Sequence, residues 1–149
     1  MLHSIDSTET LILGGYGKNG THLKSSEVIS ANGASKGIDL PVSMVGHCSM
    51  KLSESIVLLG GGFQDGSISS KMYYLDLKTM EFTPGPSMQT ARTGHGCAAL
   101  HLEDKTYGVI SGGSNGTYAF DSTEMMDFDQ SNPTWTDGKQ DNLKNIFQL

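Results

Sequence analysis

Long apolar runs are missing from this chain of 149 residues. Nothing in it approaches the roughly 18 consecutive apolar residues that read as a membrane span. The opening stretch MLHSIDSTETLIL has neither a basic start nor a long apolar middle, so no secretory leader is visible. Basic clusters are missing too. Ten Lys and Arg stand against sixteen Asp and Glu, a net charge of -6, and the cations are scattered. Nucleic acid and membrane are therefore not expected as partners. Cysteine is scarce, and Cys48 and Cys97 do not make the C-x2-4-C pair of a structural zinc site. Charged residues are few, at 17% against 36% hydrophobic, a balance that argues against wholesale disorder.

Glycine is what the chain has in quantity. Its nineteen Gly lack a Gly-X-Y period and fall in pairs and turns, as in an all-β chain with many tight turns. Three segments share one pattern, an apolar strand ending in Gly-Gly: LILGGYG, IVLLGGGF and GVISGGSNG. Their first paired glycines, Gly14, Gly60 and Gly112, recur at roughly fifty residues, a period that signals a repeat architecture. In the middle copy GHCSMKL, SIVLLGGG, MYYLDL and EFTPGPSM read as four antiparallel strands, with FQDGSISSK as a loop after the second. The two prolines of the fourth suit an edge strand. TGHGCAALHL, TYGVISGG, STEMMDFD and PTWTDG repeat the order. His47 and His95 each follow a Gly, and Asp76 precedes Phe82 by the same six residues that separate Asp129 from Trp135. The first copy reads as broken. LILGG and SSEVIS serve as its second and third strands, NGASKGIDLPVSM replaces an outer strand, and only Met1 to His3 stands where an inner strand belongs.

These residues resemble the kelch repeat family. Arg92 and His95, Gly112–Gly113, Phe128–Asp129 and Trp135 match its pattern in the last copy. His47, Gly60–Gly61 (or the pair one residue later), Leu75–Asp76 and Phe82 match it in the middle copy. There Met44 replaces the Arg and Leu75 the Tyr. The phrases EVISANG, GHC and GPSM are similar to invertebrate proteins made almost wholly of such repeats. No residues for a BTB-type domain are seen. The resemblance implies a partial kelch-type β-propeller of about three four-stranded antiparallel blades, the first incomplete, that does not close into a ring. Repeats would fill 1–139, divided at 1–44, 45–92 and 93–139. A non-repeat tail would occupy 140–149, where Leu143, Ile146 and Phe147 fit a short helix, an added edge strand or a frayed end.

Packing accounts for most signature residues. Paired Gly suits a sharp exit from the second strand and close approach of a neighbour. Gly96, Ala98 and Ala99 suit an innermost strand, Trp135 and Phe82 the gap between blades, and Asp76 and Asp129 backbone N–H groups at strand ends. Zinc at His47, Cys48, His95 and Cys97 is not expected, because the repeat explains both His. In repeat register Cys48 and Cys97 point to opposite strand faces on different blades, so two free buried thiols are expected. There is no G-x-S-x-G elbow and no strand-to-helix phosphate loop. Catalytic, cofactor and metal residues are therefore all expected to be none, and an oxidase-type propeller enzyme ranks last.

The function expected is a protein-interaction scaffold for an unidentified protein partner, part of a longer propeller. Loops such as GYGKNGTHLKSS and GFQDGSISSK would present the contacts, and exposed flanks would invite self-association. Arg92 and Tyr16 are of the residue types enriched in interfaces, with Arg92 also suited to a structural role. The alternative is an extracellular glycan-binding or adhesion module, for which Asn19 and Asn115, each in an N-x-T sequon, would be the markers. A favoured Asn-Gly turn explains the same residues without glycans. Compartment stays open: the missing leader leans to cytoplasm, and a truncated start would permit secretion.

Overall fold

A computed structural model describes residues 2–5, 8–102 and 104–138. The expected tail at 140–149 lies outside the described residues. The first sheet contains β1 (Leu2–Ser4), β2 (Thr10–Tyr16), β3 (His22–Ser30) and β4 (Gly33–Lys36), in that order. Next come β5 (Met44–Val45), β6 (Cys48–Lys51), β7 (Ile56–Gly60), β8 (Phe63–Gln64), β9 (Ser67–Ile68), β10 (Met72–Asp76) and β11 (Glu81–Gly85). Of these, β6, β7, β10 and β11 form the second sheet, ordered β11-β10-β7-β6, while β5, β8 and β9 form a small separate one. The third sheet follows the first in plan, ordered as β12 (Gly96–Leu102), β13 (Lys105–Ser111), β14 (Thr123–Asp127) and β15 (Thr136–Asp137). All pairings are antiparallel. Among the described residues there is no α-helix, and no helix is long and apolar enough to cross a membrane.

Two apolar layers hold the three larger sheets in a row. Leu11 and Leu13 of the first sheet meet Val57, Leu59 and Leu75 of the second, together with Leu40 and Met44 from the connection. On the other side of the second sheet, Met50, Leu58 and Met72 meet Ile110, Met126 and Trp135 of the third. Side chains alternate along a strand, so Val57 and Leu59 face one neighbour and Leu58 the other. This is why IVLL is apolar without interruption, whereas β2 buries only Leu11 and Leu13 of its run. The first and third sheets share neither layer, so among the described residues the row is open.

Trp135 and Phe82 have matching places, as expected. Trp135 is buried in the layer between the second and third sheets, edge-on to Phe128. Its Nε1 donates to the Pro86 carbonyl at 2.9 Å. Phe82 packs half-buried against the layer between the first and second. Pro84 sits on β11, an edge strand that has no further partner to want its missing N–H.

Three expectations need revision. The first sheet is four-stranded: Leu2–Ser4 pairs with β2, and β3 turns back at Ala31 and Asn32 so that Gly33–Lys36 pairs with it. The aromatic-free segment taken as a lost outer strand still satisfies its backbone in the ladder. FQDGSISSK is a hairpin rather than an open loop, with Asp65 and Gly66 at positive φ in its turn. Asp-Gly is the dipeptide such turns favour. Finally, register aligns Asp127, not Asp129, with Asp76. Asp76 accepts from the Lys78 N–H at 2.7 Å and Asp127 from the Asp129 N–H at 3.0 Å, each two residues on. Asp129 instead accepts the Thr106 N–H at 2.7 Å.

Candidate functional site

The paired glycines are seats for the following sheet. Gly14 and Gly61 have φ near +60°, and the His47 and His95 rings lie against them. A Cβ on Gly61 would overlap the His95 ring; on Gly14 it would meet the Met44 carbonyl at 2.7 Å. The second glycine of each pair, Gly62 or Gly113, lies against the strand segment that leads into its own sheet, at 45–47 or 93–95. Hence both His residues are buried and their rings serve packing. Burial, and then the nearby Arg92 guanidinium, lower the His95 pKa to about 4, against the pull of the Arg92 carbonyl. Among the described residues no three His, Cys, Asp or Glu side chains gather where a metal would sit.

Arg92, considered above as a contact residue, is 0% exposed. Nη2 is 2.9 Å from Glu124 Oε1 and also donates to Ser122 Oγ, while Nη1 donates to the Gly112 and Ser122 carbonyls. Phe120 stacks on the guanidinium at 5.0 Å. Glu124 in turn accepts the Gln89 and Thr90 N–H groups at 2.7 and 3.0 Å. The pair thus clamps the connection at 89–92 onto β14. The structural role holds, and the contact role falls away.

Cys48 and Cys97 form a disulfide with Cα atoms 6.0 Å apart, which overturns the expectation of free thiols. The facing deduction itself stands. Cys48 pairs with Gly60, and Gly96, not Cys97, pairs with the corresponding Ser111, so the two Cys are one residue out of register. In a stacked row, however, the front of one sheet meets the back of the next. Opposite facing therefore brings the two sulfurs together.

Tyr16 is 65% and Tyr118 70% exposed, and they are the exposed large hydrophobics among the described residues. Tyr16 ends β2 of the first sheet, and Tyr118 lies in the connection between β13 and β14 of the third. The Tyr16 and His22 rings are 5.5 Å apart, and His22 reaches Phe63 of the β8–β9 hairpin, which follows β7, at 5.8 Å. Ile68 of the same hairpin lies against Gly116 of the third sheet. One rim thus runs across all three sheets. Its loops are ordered by their own chemistry. Thr21 Oγ1 donates to the Lys18 carbonyl, and Asn115 Oδ1 accepts the Thr117 and Tyr118 N–H groups at 3.0 and 2.8 Å. Asn19 and Asn115 are exposed on this rim.

No family model and no curated protein matches the chain. Among solved structures it is similar to the structure of YjhT, with a TM-score of 0.73 at 17% identity. The match covers 91% of this chain and 50% of that one, so the chain spans about half the length of that structure. At this identity the likeness concerns the fold.

Proposed function

We propose that the three larger sheets are blades of a kelch-type β-propeller, an open part of a longer ring, and that the protein is a non-enzymatic scaffold for binding another protein. The exposed rim carries this reading. Two tyrosines stand in solvent, one at the end of β2 and one on a loop whose backbone is tied down, on a row whose second and third sheets are joined by a disulfide. Tyrosines held this way lose little conformational freedom when a partner covers them. The sequence pattern that resembles kelch repeats supports the blade assignment, with the His-on-Gly contact recurring at both junctions.

The test is affinity capture from native extract with three baits: wild type, Tyr16→Ala/Tyr118→Ala, and Lys51→Ala/Glu54→Ala at the opposite turn. A partner that binds the rim is retained by the first and third, and falls roughly tenfold or more with the second. Equal retention by all three baits refutes the rim.

The disulfide favours a second reading, an extracellular adhesion or glycan-binding module, because such bonds persist in oxidising compartments. Asn19 and Asn115 would then carry glycans beside the tyrosines. A mass loss on enzymatic deglycosylation of native protein selects this reading, and an unchanged mass removes its glycan part.

A further inference from the structure

The outward face of the first sheet carries half of a contact that the third sheet completes. In β13 and β14, Ile110 pairs with Glu124. In β2 and β3, Ile12 pairs with Glu27 in the same register. Ile110 and Glu124 are buried, and Glu124 holds Arg92 and the two N–H groups of Gln89 and Thr90. Ile12 is half-buried and Glu27 exposed, with no neighbouring sheet over them among the described residues. Glu27 lines a groove of about 250 Å³ together with Ser25, Ser26, Ala34, Ser35 and Lys36. Lys36 pairs with Glu27 in register, but its ammonium lies 3.3 Å from Asp39. The glycine pair tells the same story independently. Gly113 and Gly62 press on the segment leading into their own sheets, whereas a Cβ on Gly15 would meet nothing within 4 Å. Among the described residues, the carboxylate site and the glycine cradle are both open, on one sheet.

We infer that this face is a docking surface for an Arg-x-x-His segment leading into a β-strand, of the kind that Arg92 to His95 forms here. Its guanidinium and preceding N–H groups would be taken by Glu27 and its backbone by Gly15. Charge complementarity selects arginine, whose planar fork suits a carboxylate. The chain contains a single arginine, Arg92, and this is already buried against Glu124. Neither a second copy nor any other part of this sequence can supply the group, so the segment comes from polypeptide outside it. This inference rests on strand register and not on the tyrosine rim, and Tyr16→Ala/Tyr118→Ala is expected to leave it intact.

A synthetic peptide with the sequence of residues 87–96, SMQTARTGHG, is titrated into the full 149-residue protein while amide shifts are followed by NMR. Saturable shifts centred on Gly15 and Glu27 are expected. Binding should weaken at least about tenfold with Glu27→Gln, and again when the peptide's Arg is replaced by Leu. Glu81→Gln, an exposed carboxylate elsewhere, should leave it unchanged. The inference is overturned by absent saturation, by shifts centred elsewhere, or by equal affinity for the Glu27→Gln protein. A dimer in light scattering that Glu27→Gln dissolves would also overturn it, since a second copy would then be the occupant.

Discussion

Replacing Arg92 with Met tests whether the clamp between connection and sheet holds the third sheet in place. Met44 occupies the corresponding position of the second sheet, where Tyr73 takes the place of Glu124 opposite Leu59. The substitution is thus one the architecture already tolerates elsewhere. In its own setting it leaves Glu124, 2% exposed, as a buried carboxylate with only two N–H donors. It also strips the Gly112 and Ser122 carbonyls of a donor. Breaking one side of a buried pair costs about 3–5 kcal/mol, about a fifth or more of the ~5–15 kcal/mol that holds a domain folded. Adding Glu124→Tyr removes the stranded charge but orphans the Gln89 and Thr90 amides, at ~1–3 kcal/mol each. The double variant is therefore still destabilised, yet by clearly less than the two single losses added together. Equilibrium urea unfolding of the four proteins, with unchanged m values, reads the coupling directly. A loss under ~1 kcal/mol for Arg92→Met, or strict additivity, would refute the reasoning.

Two further outcomes follow from the glycine seats. His95 is neutral in the fold, with its pKa lowered to about 4, against about 6.5 when unfolded. Between those values the unfolded chain takes up a proton that the folded one refuses. Stability is thus full above pH ~6.5 and declines toward pH ~4, by up to about 3 kcal/mol. His95→Gln should flatten that slope in unfolding curves measured across the range, and an unchanged slope would assign the acid sensitivity elsewhere. Gly61→Ala, at φ +64° and against the His95 ring, should cost more than Gly66→Ala, at φ +88° with nothing within 4 Å. The second loses only the ~1–2 kcal/mol of a left-handed Ala; equal melting temperatures for the two variants would remove the seat.

How much of this was legible in the sequence varies with the kind of signal. The twelve strands of the larger sheets lie where apolar runs and turn residues put them, apart from the two short flanking strands of the first sheet. β1 was legible only as a remnant at Met1 to His3, and β4 escaped because GASK carries almost no β pattern of its own; their pairing comes from β2 and β3. The β8–β9 hairpin was readable from Asp65-Gly66, whose turn chemistry is local. The partners of Arg92 were not. Glu124 is 32 residues away in sequence, and only the register of β14 brings it to the guanidinium. The cysteines show the limit most clearly. Strand alternation gave their facing correctly, but bridging depends on how two sheets stack, which no single strand encodes. The exposed rim was half visible, with Tyr16 noted and Tyr118 missed. The turn that holds Tyr118 out is capped by Asn115, and an Asn-Gly-Thr-Tyr run could have suggested it.

Front-to-back stacking of successive sheets underlies the seats, the clamp and the open face alike. Peptide mapping of natively purified, thiol-blocked protein by mass spectrometry tests it most directly. A cross-linked pair of peptides containing Cys48 and Cys97 is the predicted result. Recovery of both cysteines as alkylated thiols, from protein prepared without reductant and folded by far-UV circular dichroism, would contradict it.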